Sequence, residues 1–167
     1  MMRYYEKIIM IFLILFLCSC SSTNEDESSF EISSDKSNEF FKFSIVSQQE
    51  KYDENDSIDI KFITEYIGNE KKISVNHAKT LITFEIVKND KIIYMESAEA
   101  DENTTVFTIG DIVEYRYASK DSKSSKNSKF YFPELEIGNY DLVAYLSYST
   151  DGVNYVLLEN SISFSVE

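Results

Sequence analysis

Few residues in this chain could support catalysis or bind a metal. His77 is the single histidine, and the two cysteines, Cys18 and Cys20, both lie near the N-terminus, so residues 21–167 contain no thiol. A catalytic nucleophile needs a base held beside it, and the Gly-x-Ser-x-Gly turn that often presents a serine is missing from the sequence. Structural zinc sites use several His and Cys ligands. We therefore predict a domain with no catalytic residue, no metal and no cofactor, in which His77 is a structural or exposed side chain.

The segment Asp53–Asp59 has side-chain oxygens spaced in part like those of a calcium-binding loop. However, Ile58 occupies the position at which that loop requires glycine, and Thr64 stands where its last glutamate would be. Ile58 also continues the alternation of the strand that follows. We interpret the segment as a polar approach to a hairpin rather than as a calcium site.

The charge of the chain restricts its partners. Its formal net charge is −13 at pH 7, and such a surface repels nucleic acids and anionic lipid headgroups. The many carboxylates could include a glycosidase pair, but a small domain with short loops and no tryptophan is a poor sugar-cleaving cleft. One basic segment, Lys120–Lys129, interrupts the acidic sequence. We interpret it as a solvated loop between strands, with an electrostatic contact to an acidic partner or to the chain's own acidic N-terminal segment as the alternative.

The N-terminus has the pattern of an export signal. Residues 1–7 carry a net positive charge and precede Ile8–Leu17, an unbroken apolar run of ten residues. A membrane-spanning helix needs roughly 20 apolar residues, whereas ten suit the hydrophobic region of a signal peptide. An ordinary secretory signal and an uncleaved anchor helix are the alternatives.

The residues that end this run resemble the lipobox of bacterial lipoproteins. Leu17-Cys18-Ser19-Cys20 places leucine at −3, serine at −1 and cysteine at +1. The resemblance implies cleavage of residues 1–19 and lipid attachment at Cys20, because cleavage before Cys18 would put Leu17 at −1. Since one acyl chain binds a membrane only marginally, a multiply acylated Cys20 would anchor the protein to the membrane on its extracytoplasmic face. If the host has an outer membrane, Ser21 after the cysteine favours that membrane.

Residues 20–38 are dominated by Ser, Asp, Glu and Asn, which predicts a disordered tether. From residue 39 onward, apolar and polar residues alternate in several short runs. The clearest lie at Phe41–Val46, Ile58–Ile63, Leu81–Val87, Tyr140–Ser147 and Ser161–Val166. Alternation with period two is typical of half-buried strands. We predict that residues 39–167 form an antiparallel β-sandwich of about seven to eight strands.

The segment Leu135–Tyr140, with its Leu-x-x-Gly-x-Tyr pattern, looks like the tyrosine corner of immunoglobulin-like sandwiches. In that motif Gly138 would permit the turn, and the hydroxyl of Tyr140 would bond the preceding backbone. The runs Phe62–Tyr94 and Gly138–Leu146 also resemble the immunoglobulin-like domains of extracytoplasmic bacterial lipoproteins. A more distant similarity, through the Gly-x-Tyr strand, is to the small β-sandwich proteinase inhibitors of bacilli.

Neither resemblance brings a catalytic residue with it. We therefore expect a non-enzymatic domain, held on the membrane by lipid on Cys20, that binds an unidentified envelope or extracellular protein. The alternative is a surface-tethered proteinase inhibitor that presents a loop of the sandwich to a protease cleft.

Overall fold

The computed structural model describes residues 32–97, 100–119 and 130–167, and this part of the chain is all β. Its strands form two sheets that share one core, which confirms the predicted all-β sandwich. In chain order the strands are β1 (Ile32–Ser37), β2 (Phe41–Ser47), β3 (Lys51–Tyr52), β4 (Asp59–Tyr66), β5 (Lys72–His77), β6 (Ile82–Lys88), β7 (Lys91–Glu96), β8 (Asn103–Thr108), β9 (Ile112–Ser119), β10 (Phe130–Phe132), β11 (Gly138–Ser149) and β12 (Tyr155–Val166). The described residues contain no helix long and apolar enough to cross a membrane.

The first sheet has five strands in the order β1-β2-β4-β9-β10. Its pairs are antiparallel except β9–β10, which is parallel. Inside it, the carboxylate of Asp59 is buried and receives the Arg116 guanidinium from the neighbouring strand, with Arg116 Nε 2.8 Å from Asp59 Oδ1. A charge removed from water needs such a partner.

The second sheet has seven strands, and β11 lies at its centre. β12 pairs with one side of β11 along its whole length. The other side of β11 pairs with β6 over Asp141–Leu146 and with β5 at Ser149. β7 extends the sheet beyond β6, and β8 extends it beyond β5. Two ribbons, β6–β7 and β5–β8, therefore lie side by side along one flank of β11.

Aromatic and β-branched residues fill the space between the sheets. The ring of Phe62 stacks on that of Phe84 from the opposite sheet, with centroids 5.4 Å apart, and Tyr117 meets both rings edge-on. Phe41 makes similar edge contacts with Phe107 and Tyr148. Such pairs bury large apolar areas and fix ring geometry. A core packed in this way stabilises the sandwich without any disulfide.

The strand count exceeds the predicted seven to eight because several strands carry weak signals. β3 and β10 have only two and three residues, too few for alternation to be recognised. These two strands also form the parallel pairs, β3 with the end of β12 and β10 with β9, so the sandwich is not wholly antiparallel as expected. β7 exposes Ile92, Ile93 and Met95 rather than alternating.

The ordered domain begins before the predicted boundary at residue 39. Residues 32–37 were assigned to the tether, but they form β1, which pairs with β2 from Ile32↔Ser47 to Ser37↔Lys42. The buried Asn160 also bonds this strand, accepting from Ser34 Oγ at 2.6 Å and donating to the Ser34 carbonyl at 2.7 Å. Backbone and amide bonds thus hold a segment that its polar composition marked as disordered. The predicted signal peptide, Cys20 and residues 21–31 of the predicted tether lie outside the described residues.

Candidate functional site

Tyr140 stands at the start of β11 with its ring buried against Phe164, the two centroids being 5.6 Å apart. Its hydroxyl donates to the backbone carbonyl of Glu136, four residues earlier in the chain. The same hydroxyl accepts a bond from Lys88 Nζ at 3.1 Å, and that ammonium group also donates to the Ile137 carbonyl at 3.0 Å. This is the arrangement of the tyrosine corner in immunoglobulin-like sandwiches. Both partners of the hydroxyl lie within the domain, so the corner has a structural role.

Gly138 permits the turn into this strand. Its φ of +152° is one that residues with a side chain rarely adopt. A Cβ added here would stand 2.7 Å from Cε and 2.9 Å from Nζ of Lys88. A side chain would therefore strain the backbone and displace the ammonium group that bonds Ile137 and Tyr140.

The segment Asp53–Asp59 is held by bonds among its own residues and by bonds from Gln49 and Arg116. The carboxylate of Asp56 accepts from the backbone N–H of Asp53 at 3.0 Å and from Gln49 Nε2 at 2.9 Å, while Asp59 is bound by Arg116. Residues Asp53–Ile58 line an acidic groove of about 630 Å³ together with Pro133–Glu136. Within the described residues, no group of three or more His, Cys, Asp or Glu side chains is arranged to hold a metal ion.

His77 is buried at the end of β5, and both of its ring nitrogens have partners. Nδ1 lies 2.5 Å from the Ala78 carbonyl, which can only accept, so Nδ1 carries the proton. Nε2 lies 2.8 Å from the Thr105 hydroxyl, which can donate to it. A neutral imidazole satisfies both bonds. His77 therefore ties β5 to β8.

An open groove of about 740 Å³ lies on the outer face of the seven-stranded sheet, and we call it the outer-sheet groove. It lies where the β6–β7 and β5–β8 ribbons diverge beside β11. Its floor is formed by Thr83, Glu85, Met95, Tyr145, Ser147 and Leu157, and its rim includes His77, Glu102 and Tyr155. Two hairpins that are distant in sequence, β6–β7 and β11–β12, therefore contribute to one concave surface.

Strand register explains which side chains reach this groove. On β11 the residues Tyr140, Leu142, Ala144 and Leu146 are buried, as the alternation predicted, so Tyr145 and Ser147 face outward. Leu157 pairs with Ser147 and is 61% exposed, and Met95 pairs with Glu85 and is 52% exposed. Exposed apolar side chains that form a contiguous patch mark a contact surface, whereas isolated ones do not.

The groove is electrostatically negative. Burial raises the pKa of the Tyr145 hydroxyl, and the carboxylates of Glu85 and Glu159 raise it further because they disfavour a phenolate beside them. On the opposite face of β7, Tyr94 donates to Glu96 at 2.7 Å, and burial followed by this bond raises the pKa of Tyr94 to about 12. Among the described residues, neither lysine nor arginine lines the groove. The site therefore combines apolar contact area with carboxylates that have no cationic partner in the described part of the chain.

A second exposed feature is the turn between β11 and β12. The Asp151 carboxylate accepts from the backbone N–H groups of Asn154 at 2.7 Å and Val153 at 2.9 Å, and from Ser149 Oγ at 2.9 Å. The Asn154 and Val153 bonds hold the pKa of Asp151 well below its usual range. Val153 is 77% exposed at the tip. The turn is thus a locally braced loop that presents an apolar side chain.

Sequence reasoning located Tyr140 and Gly138 but not the groove. The alternation of β11 gave the outward direction of Tyr145, yet its neighbours were not identified because β12 was predicted only from Ser161, whereas it begins at Tyr155. Tyr155 and Leu157 lie in the half of β12 that was not predicted, and their apolar character is the sequence signal that could have extended this strand. Cys20 and Lys120–Lys129 lie outside the described residues, so their predicted roles are not addressed by these contacts.

No family model and no curated protein matches the chain. Among solved structures, it resembles the CARDB domain of a protein from Pyrococcus furiosus, crystallised with di-metal ions, with a TM-score of 0.42 and 12% identity over 78% of this chain and 97% of that one. It also overlaps a β-glucosidase from Listeria innocua, crystallised with isofagomine, with a TM-score of 0.31 and 8% identity over 78% of this chain and 17% of that one. Both overlaps are loose, and neither assigns a family or a ligand.

Proposed function

We propose that this protein is a non-enzymatic binding module, anchored by lipid on Cys20 to the extracytoplasmic face of a membrane, and that the outer-sheet groove binds its protein partner. The observation that carries the proposal is the groove itself, a concave surface of about 740 Å³ on the central strands of a rigid sheet. Its exposed Leu157 and Met95 supply apolar contact area. Binding sites commonly combine such area with a few polar groups on a preformed scaffold.

The anchor rests on the lipobox-like residues at Leu17–Cys20. We expect Cys20→Ala to abolish fatty-acid labelling in growing cells and to leave an unprocessed precursor, since the lipidated thiol is lost. Cys18→Ala is the matched control and should label normally. Label retained by the Cys20 variant would remove the anchor from the proposal.

The groove is tested by chemical cross-linking of the full-length protein in the cell envelope of its host. We expect Leu157→Ser to reduce the yield of a cross-linked partner, because it removes apolar contact area from the floor. Ile112→Ser is the matched control, since Ile112 is 62% exposed against 61% for Leu157 but lies on β9 in the other sheet. Equal yields from the two variants would show that the partner binds elsewhere.

A surface-tethered proteinase inhibitor is the second candidate, and the β11–β12 turn favours it. A loop braced in one conformation pays little ordering entropy when it enters a protease cleft, and Asp151 braces this turn with Val153 at its tip. If the protein inhibits an extracellular protease of its host, Val153→Asp should abolish inhibition while Leu157→Ser leaves it unchanged. Without inhibition of any such protease, the groove remains the favoured site.

A further inference from the structure

We propose that the outer-sheet groove is selective for a lysine- or arginine-bearing peptide segment, extended along β11 and β12, of a partner protein. This inference rests on the proposed function and names the chemistry of the ligand. The carboxylates of Glu85 and Glu102 line the groove, and neither forms an ion pair within the described residues. Within the described residues, neither lysine nor arginine lines the groove, so its carboxylates favour a cationic ligand.

The register of the sheet places these charges around an aromatic ring. Tyr145 lies directly opposite Glu159 on β12 and Thr83 on β6, while Glu85 is two residues further along β6 on the same face. Cross-strand and diagonal neighbours on one face of a sheet lie within side-chain reach of each other. Tyr145 is thus flanked by carboxylates on two sides. An ammonium or guanidinium group placed over its ring makes a cation–π contact and is also attracted by the carboxylates of Glu85 and Glu159.

The apolar part of the groove suits the remainder of a long basic side chain. Leu157, Met95 and Tyr155 are each more than half exposed. Lysine and arginine carry aliphatic stems that pack on such surfaces while the charged head reaches polar groups. An acidic ligand would meet the carboxylates, and a neutral apolar ligand would leave them desolvated without a partner.

A second copy of this chain is a less suitable occupant, because each copy carries a formal net charge of −13. Like-charged surfaces repel one another at short range. A dimer joined through the groove would therefore have to overcome repulsion that a basic partner segment does not meet.

The test measures binding of a labelled peptide of alternating lysine and leucine to the full-length protein in detergent, at an ionic strength of about 0.15 M. We expect the lysine peptide to bind and a matched peptide of alternating glutamate and leucine not to bind. Neutralising the groove with Glu85→Gln and Glu102→Gln should weaken binding on the order of tenfold, because two charges that face the ligand are removed.

The matched control separates the groove from general attraction to an acidic protein. Glu54→Gln with Glu134→Gln removes the same charge from the acidic groove lined by Asp53–Ile58 and Pro133–Glu136, and it should change binding little. The inference would be overturned if both pairs of substitutions weakened binding equally, or if the lysine and glutamate peptides bound equally. A dimer of this chain that Leu157→Ser dissociates would also overturn it. If the peptide result fails while the cross-linked yield still depends on Leu157, the ligand class is wrong and the proposed function stands.

Discussion

Tyr140 and Tyr145 lie five residues apart on β11, and the two faces of one strand give them different roles. Tyr140 faces the core, 2% exposed, and both bonds of its hydroxyl go to Glu136 and Lys88 of the same domain. Tyr145 faces the outer-sheet groove among carboxylates. The comparison teaches that the inner face of this sheet is occupied by structural contacts, while the outer face has a concave surface that nothing in the described part of the chain covers.

Truncating the inner tyrosine should have the largest effect on stability. Tyr140→Ala removes a buried ring that stacks on Phe164 and leaves a cavity, which should lower the free energy of unfolding by about 3–5 kcal/mol. Denaturant melts of the variant and the parent measure this difference. A loss no larger than that of Tyr145→Ala would show that the two faces are not distinct.

Removing only the hydroxyl sharpens the comparison. Tyr140→Phe keeps the ring but loses the bonds to Glu136 and Lys88, so it should cost roughly 0.5–1.5 kcal/mol. Tyr145→Phe removes the same atom on the outer face and should change stability by less than about 0.5 kcal/mol. The same melts provide the test, and equal losses from the two substitutions would contradict the register of β11.

Alkaline pH should reveal a smaller effect on stability, at Tyr94 on the inner face of β7. An unfolded tyrosine ionises near pH 10, whereas Tyr94 in the folded protein has a pKa of about 12. A raised pKa contributes stability that is complete below pH 10 and is lost as the pH rises toward about 12. The denaturant midpoint should therefore fall less steeply over this range in Tyr94→Phe than in the parent. If the midpoint falls equally steeply in the two proteins, folding does not raise the pKa of Tyr94.

Metal removal and reduction should have no effect on melting. Asp59 is bound by Arg116 and Asp56 by the backbone of Asp53, so the loop has its own partners for these carboxylates, and residues 21–167 contain no cysteine. Melting temperatures with chelator, with reductant and with neither should agree. A shift of several degrees on chelation would revive the calcium interpretation of residues 53–59.

Local patterns in the sequence predicted the inner face well. The alternation in Tyr140–Leu146 gave the buried residues of the central strand, because burial on one face imposes a period of two. The segment Ile32–Ser37 was missed because its order comes from backbone pairing with β2 and from Asn160, which lies 126 residues from Ser34. Composition describes only what a segment can bury, whereas these bonds depend on the position of the partner strand.

The groove could not be predicted for a related reason. Glu85, Met95, Tyr145 and Leu157 come from four strands, and their proximity depends on the order β12-β11-β6-β7 across the sheet. That order is fixed by the packing of the whole sandwich rather than by any local motif. Single-strand patterns indicate which side chains face outward but not which strands are neighbours.

The measurement that tests the account most directly is the cross-linked yield of the envelope partner for Tyr145→Ala beside Tyr140→Phe, with the stability of each variant measured in parallel. We predict that Tyr145→Ala retains the stability of the parent and loses most of the cross-linked partner, because only the groove is changed. Tyr140→Phe should lose stability and keep the partner. Full capture by Tyr145→Ala, or loss of the partner in proportion to stability in both variants, would contradict a binding role for the outer face.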